Sequence, residues 1–310
     1  MRRLLKIGFV LAMLGLGCWA AYKQLKGHSL SDVWHDVKTF PAWRIAAALV
    51  LTGVSYLVLS VYDRMGLNYV GKPLPWRKIL PTSFMAYALG HALGLPAITA
   101  GGVRLRYYGA EGLTAGEVAK VVGFATVTFI GGLLVLATVV FALYPPRWPA
   151  ALHVPDWTPS TRTLAGVFAL LLAAYLLWGL WWRKPLSAGA FSLPVPSRRT
   201  VLLQLVISSA DWLVAVSVFA VLIGRASPWT VAGVFVMAAI ASYISHVPAG
   251  VGVFEAVSLA LLTREIPADR VLASLLVYRV VFYLCPLVAA TLMVVGVEVR
   301  RGRSRNQAAA

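Results

Sequence analysis

Acidic residues are scarce in this chain: 11 Asp and Glu stand against 28 Lys and Arg in 310 residues, a net charge of +17. Charge of either sign is scarce too, at 13% of residues, about half the share usual in soluble domains. With 60% hydrophobic residues and a mean hydropathy of +0.79, the composition excludes an ordinary soluble domain and points to a polytopic helical membrane protein. Long polar stretches are missing as well. The longest polar intervals, 23–42, 63–78, 144–162 and 183–200, read as loops, and none is long enough to fold around its own core. Only two cysteines occur, Cys18 and Cys285, both in apolar runs, which excludes a disulfide framework and a thiolate metal site. No HExxH, CxxC, GxSxG or phosphate-binding Walker sequence is present, so the familiar hydrolase and nucleotide chemistries have no foothold. The excess of basic residues does not indicate nucleic acid. They sit in short clusters beside apolar runs, the distribution that orients spans and attracts anionic headgroups.

What is present is a succession of apolar runs at about 4–22, 44–62, 79–98, 118–143, 163–182, 201–223, 229–247 and 271–297, with a short one at 250–262. The first follows Met1-Arg2-Arg3 and reads as an uncleaved span, since Gly15-Leu16-Gly17-Cys18 lacks the rest of a cleavage signal. Aromatic residues gather at the run ends, among them Trp19, Tyr22, Trp43, Tyr62, Trp76, Tyr144, Trp148, Trp181, Trp182 and Trp229, as an interfacial belt would require. Tyr87 and Trp178 lie mid-run and read as interior.

Basic residues choose between two topologies. If every long run crosses the membrane, Lys and Arg divide almost evenly between the two sides. If 79–99 enters and leaves by one face, and 229–247 with 250–262 does the same by the other, 18 fall on the cytoplasmic side and 9 outside. The second arrangement obeys the positive-inside rule. It predicts an all-α fold of about six spans plus two re-entrant broken helices, with both termini cytoplasmic. It also exposes an internal repeat: SFMAYALGHALGLP at 83–96 matches FVMAAIASYISHVP at 235–248. Each copy ends in Pro and runs into a Gly-rich break followed by a charge, Arg104 in one and Glu255 in the other. Halves of about 1–145 and 160–298 would each contribute three crossings and so lie inverted within a single transmembrane domain of residues 1–300. Residues 301–310 form a basic tail. Inverted repeats with discontinuous helices place their site where the breaks meet.

The candidate site residues follow from that geometry. Pro96, Gly101 and Gly102 in one break, and His246, Pro248, Gly250 and Gly252 in the other, would present helix N-termini suited to a phosphate, or would be no more than tight loops. Arg104 and Arg106 beside the paired glycines suit bidentate phosphate capture, with Arg106 equally readable as a basic flank. Glu255 at membrane depth costs roughly 2.5–3.5 kcal/mol without a partner. Arg279, eight residues into the last run, is the partner that resolves both penalties. Asp211 either joins this network, couples protons, or bonds to Ser208 or Ser209 nearby. His91 and His246 read more simply as structural residues than as ligands or bases. Gly250-x-Gly252-x-x-Glu255 is not a dinucleotide fingerprint, because no βαβ unit and no third glycine accompany it.

His246-Val247-Pro248-Ala249-Gly250-Val251-Gly252-Val253-Phe254-Glu255 resembles the PGG-G-FE signature of the flippase-like transmembrane family, which includes the N-terminal membrane half of lysylphosphatidylglycerol synthases. Tyr278-Arg279 with Tyr283 and Pro286 resembles its closing signature, and Gly101 through Tyr108 its first-half Gly-Arg-Tyr segment. Ala249 stands where a Gly is usual, and no aminoacyl-transferase domain follows residue 300. The resemblance implies a bacterial inner-membrane protein without lysyl-transfer activity of its own. It would move a phospholipid, glycolipid or isoprenoid-type amphiphile between leaflets, with Arg104 and Arg279 on the headgroup and no cofactor. A non-catalytic membrane partner of a lipid-biosynthesis enzyme, or less simply an intramembrane lipid-modifying enzyme using Asp211 or Glu255 as base, would fit the same residues.

Overall fold

The computed structural model describes residues 38, 40–93, 96–146, 148, 158–188, 191–245 and 247–307. The first apolar run, with Cys18, Trp19 and Tyr22, and the break residue His246 lie outside the described residues. In chain order the elements are α1 (Ala42–Tyr69), α2 (Trp76–Leu93), α3 (Pro96–Tyr108), α4 (Ala115–Leu143) and α5 (Thr161–Leu177). A π-helical turn, Trp178–Trp182, ends α5, and the short strands β1 (Leu186–Ala188) and β2 (Phe191–Leu193) pair as a hairpin. Then come α6 (Arg198–Ile223), α7 (Pro228–Ser245), α8 (Val253–Leu262), α9 (Ala268–Tyr278) and α10 (Cys285–Gln307). A π-helical stretch, Arg279–Leu284, joins α9 to α10.

Local chemistry settles where the apolar runs begin to coil. Thr114 and Glu117 form a reciprocal capping box at the start of α4, with Thr114 N donating to Glu117 Oε2 at 2.7 Å and Glu117 N to Thr114 Oγ1 at 3.2 Å. Ser160, Ser197 and Ser227 each accept from the N–H three residues on, at 3.1 Å, and open α5, α6 and α7. Among the described residues, six helical stretches are long and apolar enough to cross a membrane: Ala42–Tyr69, Ala115–Leu143, Thr161–Trp182, Arg198–Ile223, Pro228–Ser245 and Ala268–Val299. The fold is a polytopic helical membrane protein, as its composition requires. Of the expected aromatic rim, Trp43, Trp76, Tyr144, Trp181, Trp182 and Trp229 are exposed near helix ends, while Trp148 is half-buried against the helical core. Tyr62 is a correction. It is fully buried because its hydroxyl finds a carboxylate partner inside the bundle.

Helix directions follow from the contacts. Tyr69 at the end of α1 donates to the carbonyl of Pro194 just ahead of α6, and Arg44 at the start of α1 lies against Gly224 at the end of α6. The two helices are therefore antiparallel. Lys72 and Glu117 pair at 3.9 Å and Lys78 and Glu111 at 2.7 Å, so the chain enters α2 and leaves α3 at one end of the bundle. Thr230 and Glu265 meet at 3.5 Å, and Ser274 of α9 donates to Leu222 O at 3.2 Å. By the same reasoning α7 and α8 begin and finish at the opposite end. Each pair is a helical hairpin, and the α2 arm of one packs against the Pro248–Gly250 turn of the other.

Small residues permit α4 and α6 to approach closely. A Cβ built on Gly132 of α4 would lie 2.6 Å from the backbone carbonyl of Ser208 in α6, a helix contact of the small-residue kind common in membranes. Gly132→Ala is expected to push α4 from α6 and cost about 1–3 kcal/mol. Gly123→Ala, on the same helix with open space around it, serves as the control in a detergent melting series.

Candidate functional site

The break between α7 and α8 is built by three consecutive backbone devices. Pro248–Gly250 forms a single 3-10 turn in which Ala249 adopts φ 53° and Gly250 φ 61°. At Gly250 a side chain is barred, because a Cβ would meet Ser242 Oγ at 2.5 Å. Ala249 carries its Cβ into the left-handed region at a cost of about 1–2 kcal/mol, which is where the family-like Gly would sit without strain. Gly252, at φ 86°, then donates its N–H to Glu255 Oε2 at 2.8 Å and starts α8.

Arg279 holds this turn from the facing helix. Its Nε donates to Glu255 Oε1 at 2.6 Å, its Nη1 to Ala249 O at 2.7 Å and its Nη2 to Gly250 O at 3.3 Å, while the guanidinium lies over the Tyr283 ring at 5.1 Å. The pairing of Glu255 with Arg279 expected from their depth is present. One guanidinium thus satisfies a carboxylate and two carbonyls that the broken helix would otherwise leave bare. The π stretch Arg279–Leu284 ends two residues before Pro286, whose missing N–H prevents the ladder from closing there in the α register.

The first break differs from expectation. Gly101 and Gly102 are not a turn; both lie inside α3, which begins at Pro96. Proline is well suited to the first helical turn, where its missing N–H would have had no partner, so α3 is already under way at Gly101 and Gly102 and both are helical. Arg104 is consequently carried into the bundle, where 2% of its side chain is exposed. It is held by Asp63 of α1, with Nη2 to Oδ1 at 2.7 Å and Nε to Oδ2 at 2.9 Å. Tyr108 donates to Asp63 Oδ2 at 2.7 Å, and the guanidinium lies over Tyr87 at 4.6 Å. Arg106, expected as a flank or a phosphate ligand, pairs with Glu298 of α10 at 2.7 Å. Asp63 escaped the sequence reading because it stands at the end of an apolar run and counts there as the first residue of a loop.

The two hairpin tips meet at a cavity of about 420 Å³. Gly90, His91 and Ile98 come from one tip, and Val247, Ala249 and Gly250 from the other. The remaining wall is mainly aromatic: Phe129, Trp212, Phe235, Tyr243, Phe254, Tyr278, Phe282 and Tyr283. Tyr278 stacks between Phe254 (5.8 Å) and Phe282 (5.2 Å), and Phe282 stacks on the His91 ring at 6.4 Å. Among the polar groups on the wall, Asp211 accepts from Ser55 at 2.9 Å and from Tyr62 at 3.1 Å, both on α1. It bonds neither Ser208 nor Ser209, since a helical neighbour three residues away cannot match donors facing it across the α1–α6 contact. Ser55 and, apart from Tyr278 and Tyr283, the aromatic wall were not visible as site residues in the sequence. Arg104, Arg106 and Arg279 are absent from the wall, each occupied by a carboxylate.

A polytopic bundle with two opposed helical hairpins meeting at an aromatic cavity defines a class of membrane protein rather than a soluble enzyme. Residues 4–290 match the family described as the lysylphosphatidylglycerol synthase TM region, and the chain belongs to that family. It is 30% identical over 300 residues to "Uncharacterized protein slr0712" of Synechocystis, covering 96% of this chain and 92% of that one. To "Inner membrane protein YbhN" of Escherichia coli it is 30% identical over 286 residues, covering 90% and 88%. To "Phosphatidylglycerol lysyltransferase" of Staphylococcus aureus it is 23% identical over 297 residues, covering 94% of this chain but 34% of that protein.

Proposed function

We propose that this protein is a flippase-like transporter of the bacterial inner membrane that moves a polar-headed lipid between leaflets. The observation that carries the reading is the cavity at the meeting point of two helical hairpins entering from opposite ends. In this reading the hairpins are re-entrant and residues 1–300 form one transmembrane domain of two inverted halves, about 1–145 and 160–298. The termini and the 301–310 tail are cytoplasmic. The antiparallel course of α1 and α6, the helix that leads into the hairpin in each half, supports the inversion. The cavity combines a few polar groups with a largely apolar wall, and Ile98 (71% exposed) and Val247 (36%) lie at its edge. That suits an amphiphile whose headgroup enters while its tails stay in lipid. Similarity to a phosphatidylglycerol lysyltransferase and to an inner-membrane protein supports a lipid as cargo and the inner membrane as location.

In this reading Tyr278, Tyr283, Gly250 and His91 contact the lipid, with Asp211 supporting. Glu255, Arg279, Pro248, Gly252 and Pro286 shape the turn that forms one wall, and His246 adjoins it in sequence. Arg104 and Arg106 fix α3 through their carboxylates and do not bind the headgroup.

The test is leaflet-specific labelling in vesicles containing the purified chain, with head-labelled phospholipid, glycolipid and polyprenyl-phosphate probes. At least one probe should cross faster than in protein-free vesicles. Ala239→Trp, which fills the cavity, should remove the acceleration at equal folded amounts. If no probe class crosses faster than in bare vesicles, the transport reading falls. The chain would then fit a membrane partner of a lipid-biosynthesis enzyme better.

A further inference from the structure

Among the described residues, Asp211 is the one buried carboxylate without a cation beside it. Among the described residues, Asp63, Glu111, Glu117, Glu255 and Glu298 each pair with an Arg or Lys, and Glu265 and Asp269 are exposed. Asp211 is buried, lies midway along the 26-residue α6 and so about 20 Å from either end. Among the described residues its hydrogen-bond partners are two hydroxyls, those of Ser55 and Tyr62. Two hydroxyl hydrogen bonds do not offset the cost of an isolated charge at that depth. The carboxyl group therefore needs a positive charge from elsewhere, and it is on the cavity wall that such a charge can reach it.

We propose that Asp211 is a proton-binding site of the cavity. It takes a proton from one aqueous face and releases it to the other, so that the movement of lipid is coupled to the movement of protons; the coupling rests on the transport reading above. The step is a simple protonation: the carboxylate accepts one proton and becomes a neutral acid, and deprotonation returns it. Its chemical consequence lies in hydrogen bonding. An ionised carboxylate only accepts, whereas the acid also donates one O–H. Loading the proton removes the burden of buried charge and turns one acceptor on the wall into a donor. The cavity then treats the same headgroup differently in its two states.

The ionisable groups around Asp211 are consistent with this. Tyr56 and Tyr62 face it from α1, Tyr87 and His91 from α2, Tyr243 from α7, and Tyr283 from the π stretch. From α4 and α8 the cavity wall receives Phe129 and Phe254, which do not ionise. Arg104 and Arg279 are bonded to Asp63 and Glu255. His91 is the competing candidate, because its Nδ1 is buried without a hydrogen-bond partner.

The experiment is infrared difference spectroscopy of the purified full chain in vesicles of phosphatidylethanolamine and phosphatidylglycerol, titrated from mildly basic to mildly acidic pH. A C=O band of a protonated carboxylic acid should grow on acidification, disappear in Asp211→Asn, and persist in His91→Gln. It should also persist in Ser55→Ala, which weakens the tie between α1 and α6 but leaves the carboxyl in place. A band that survives in Asp211→Asn, or no band in the wild type, overturns the proposal, as does a band lost only in His91→Gln. In the same vesicles, a trace of head-labelled lipid of the class that crosses is followed with and without a pH gradient. Movement unaffected by the gradient overturns the coupling and leaves the transport reading intact. A titrating Asp211 without movement of any probe class leaves the proton site standing and removes the transport reading.

Discussion

Asp63→Ala is expected to cost about 3–5 kcal/mol of stability, because it strands the Arg104 guanidinium inside the bundle. Asp63 is fully buried and Arg104 nearly so, and the carboxylate takes hydrogen bonds from Nε, Nη2 and the Tyr108 hydroxyl. Without it, the Tyr87 ring at 4.6 Å is left as a weak partner, worth about 2 kcal/mol at best. Arg104→Ala should cost a similar amount by stranding the carboxylate. Arg104→Lys should recover little, since an ammonium cannot span both carboxylate oxygens and the ring as the planar fork does. The combined change Asp63→Leu with Arg104→Met should cost far less than the sum of the single losses, because apolar side chains of similar volume carry no desolvation penalty. Unfolding in detergent, with folded yield as a second readout, gives the values. Strictly additive losses would mean that the two side chains do not act as a pair. Because Arg104 is absent from the cavity wall, lipid movement per folded molecule should survive Arg104→Lys.

Glu255→Ala is the second large effect, at roughly 3 kcal/mol. It leaves Arg279, 5% exposed, with the carbonyls of Ala249 and Gly250 and the Tyr283 ring but no carboxylate, and it removes the acceptor for Gly252 N–H. Arg279→Ala should be somewhat milder, because Glu255 is 24% exposed and can draw in water. It bares two carbonyls of a left-handed turn instead. Both single changes should raise hydrogen exchange at Val251 and Gly252, next to the cavity, and the double change to Ala should restore part of the lost stability. Unchanged exchange in this segment would show that the turn holds without the guanidinium.

These two pairs differ in how visible they were beforehand. Glu255 and Arg279 each interrupt an apolar run far from its ends, and a charge that deep has few ways to be stabilised, so their pairing could be inferred from depth alone. Asp63 and Arg104 sit near run ends, where basic and acidic residues are ordinary, and nothing in the local pattern marks them as buried. Gly101-Gly102 misled for a related reason. Paired glycines commonly mark a turn, but Pro96 had already started the helix, and a helix once started runs through glycine at a cost of about 1 kcal/mol each. Asp211 stood out as an acid inside a span, yet its partners Ser55 and Tyr62 lie about 150 positions away and became evident only once α1 was packed antiparallel to α6.

By itself the sequence determined the class of protein, the approximate positions of the long apolar helices among the described residues, and the existence of a break at Pro248–Gly252. These depend on hydropathy, backbone conformation and charge depth, which are properties of contiguous residues. The tertiary structure decided which charges neutralise one another and therefore what remains to line the cavity. All three arginines considered for a headgroup are taken by carboxylates from other helices, and the wall is left aromatic with one unmatched acid. That outcome follows from the packing of α1, α6 and the two hairpins, because the cost of a buried charge is set by the groups brought beside it in space and not by those beside it in the chain.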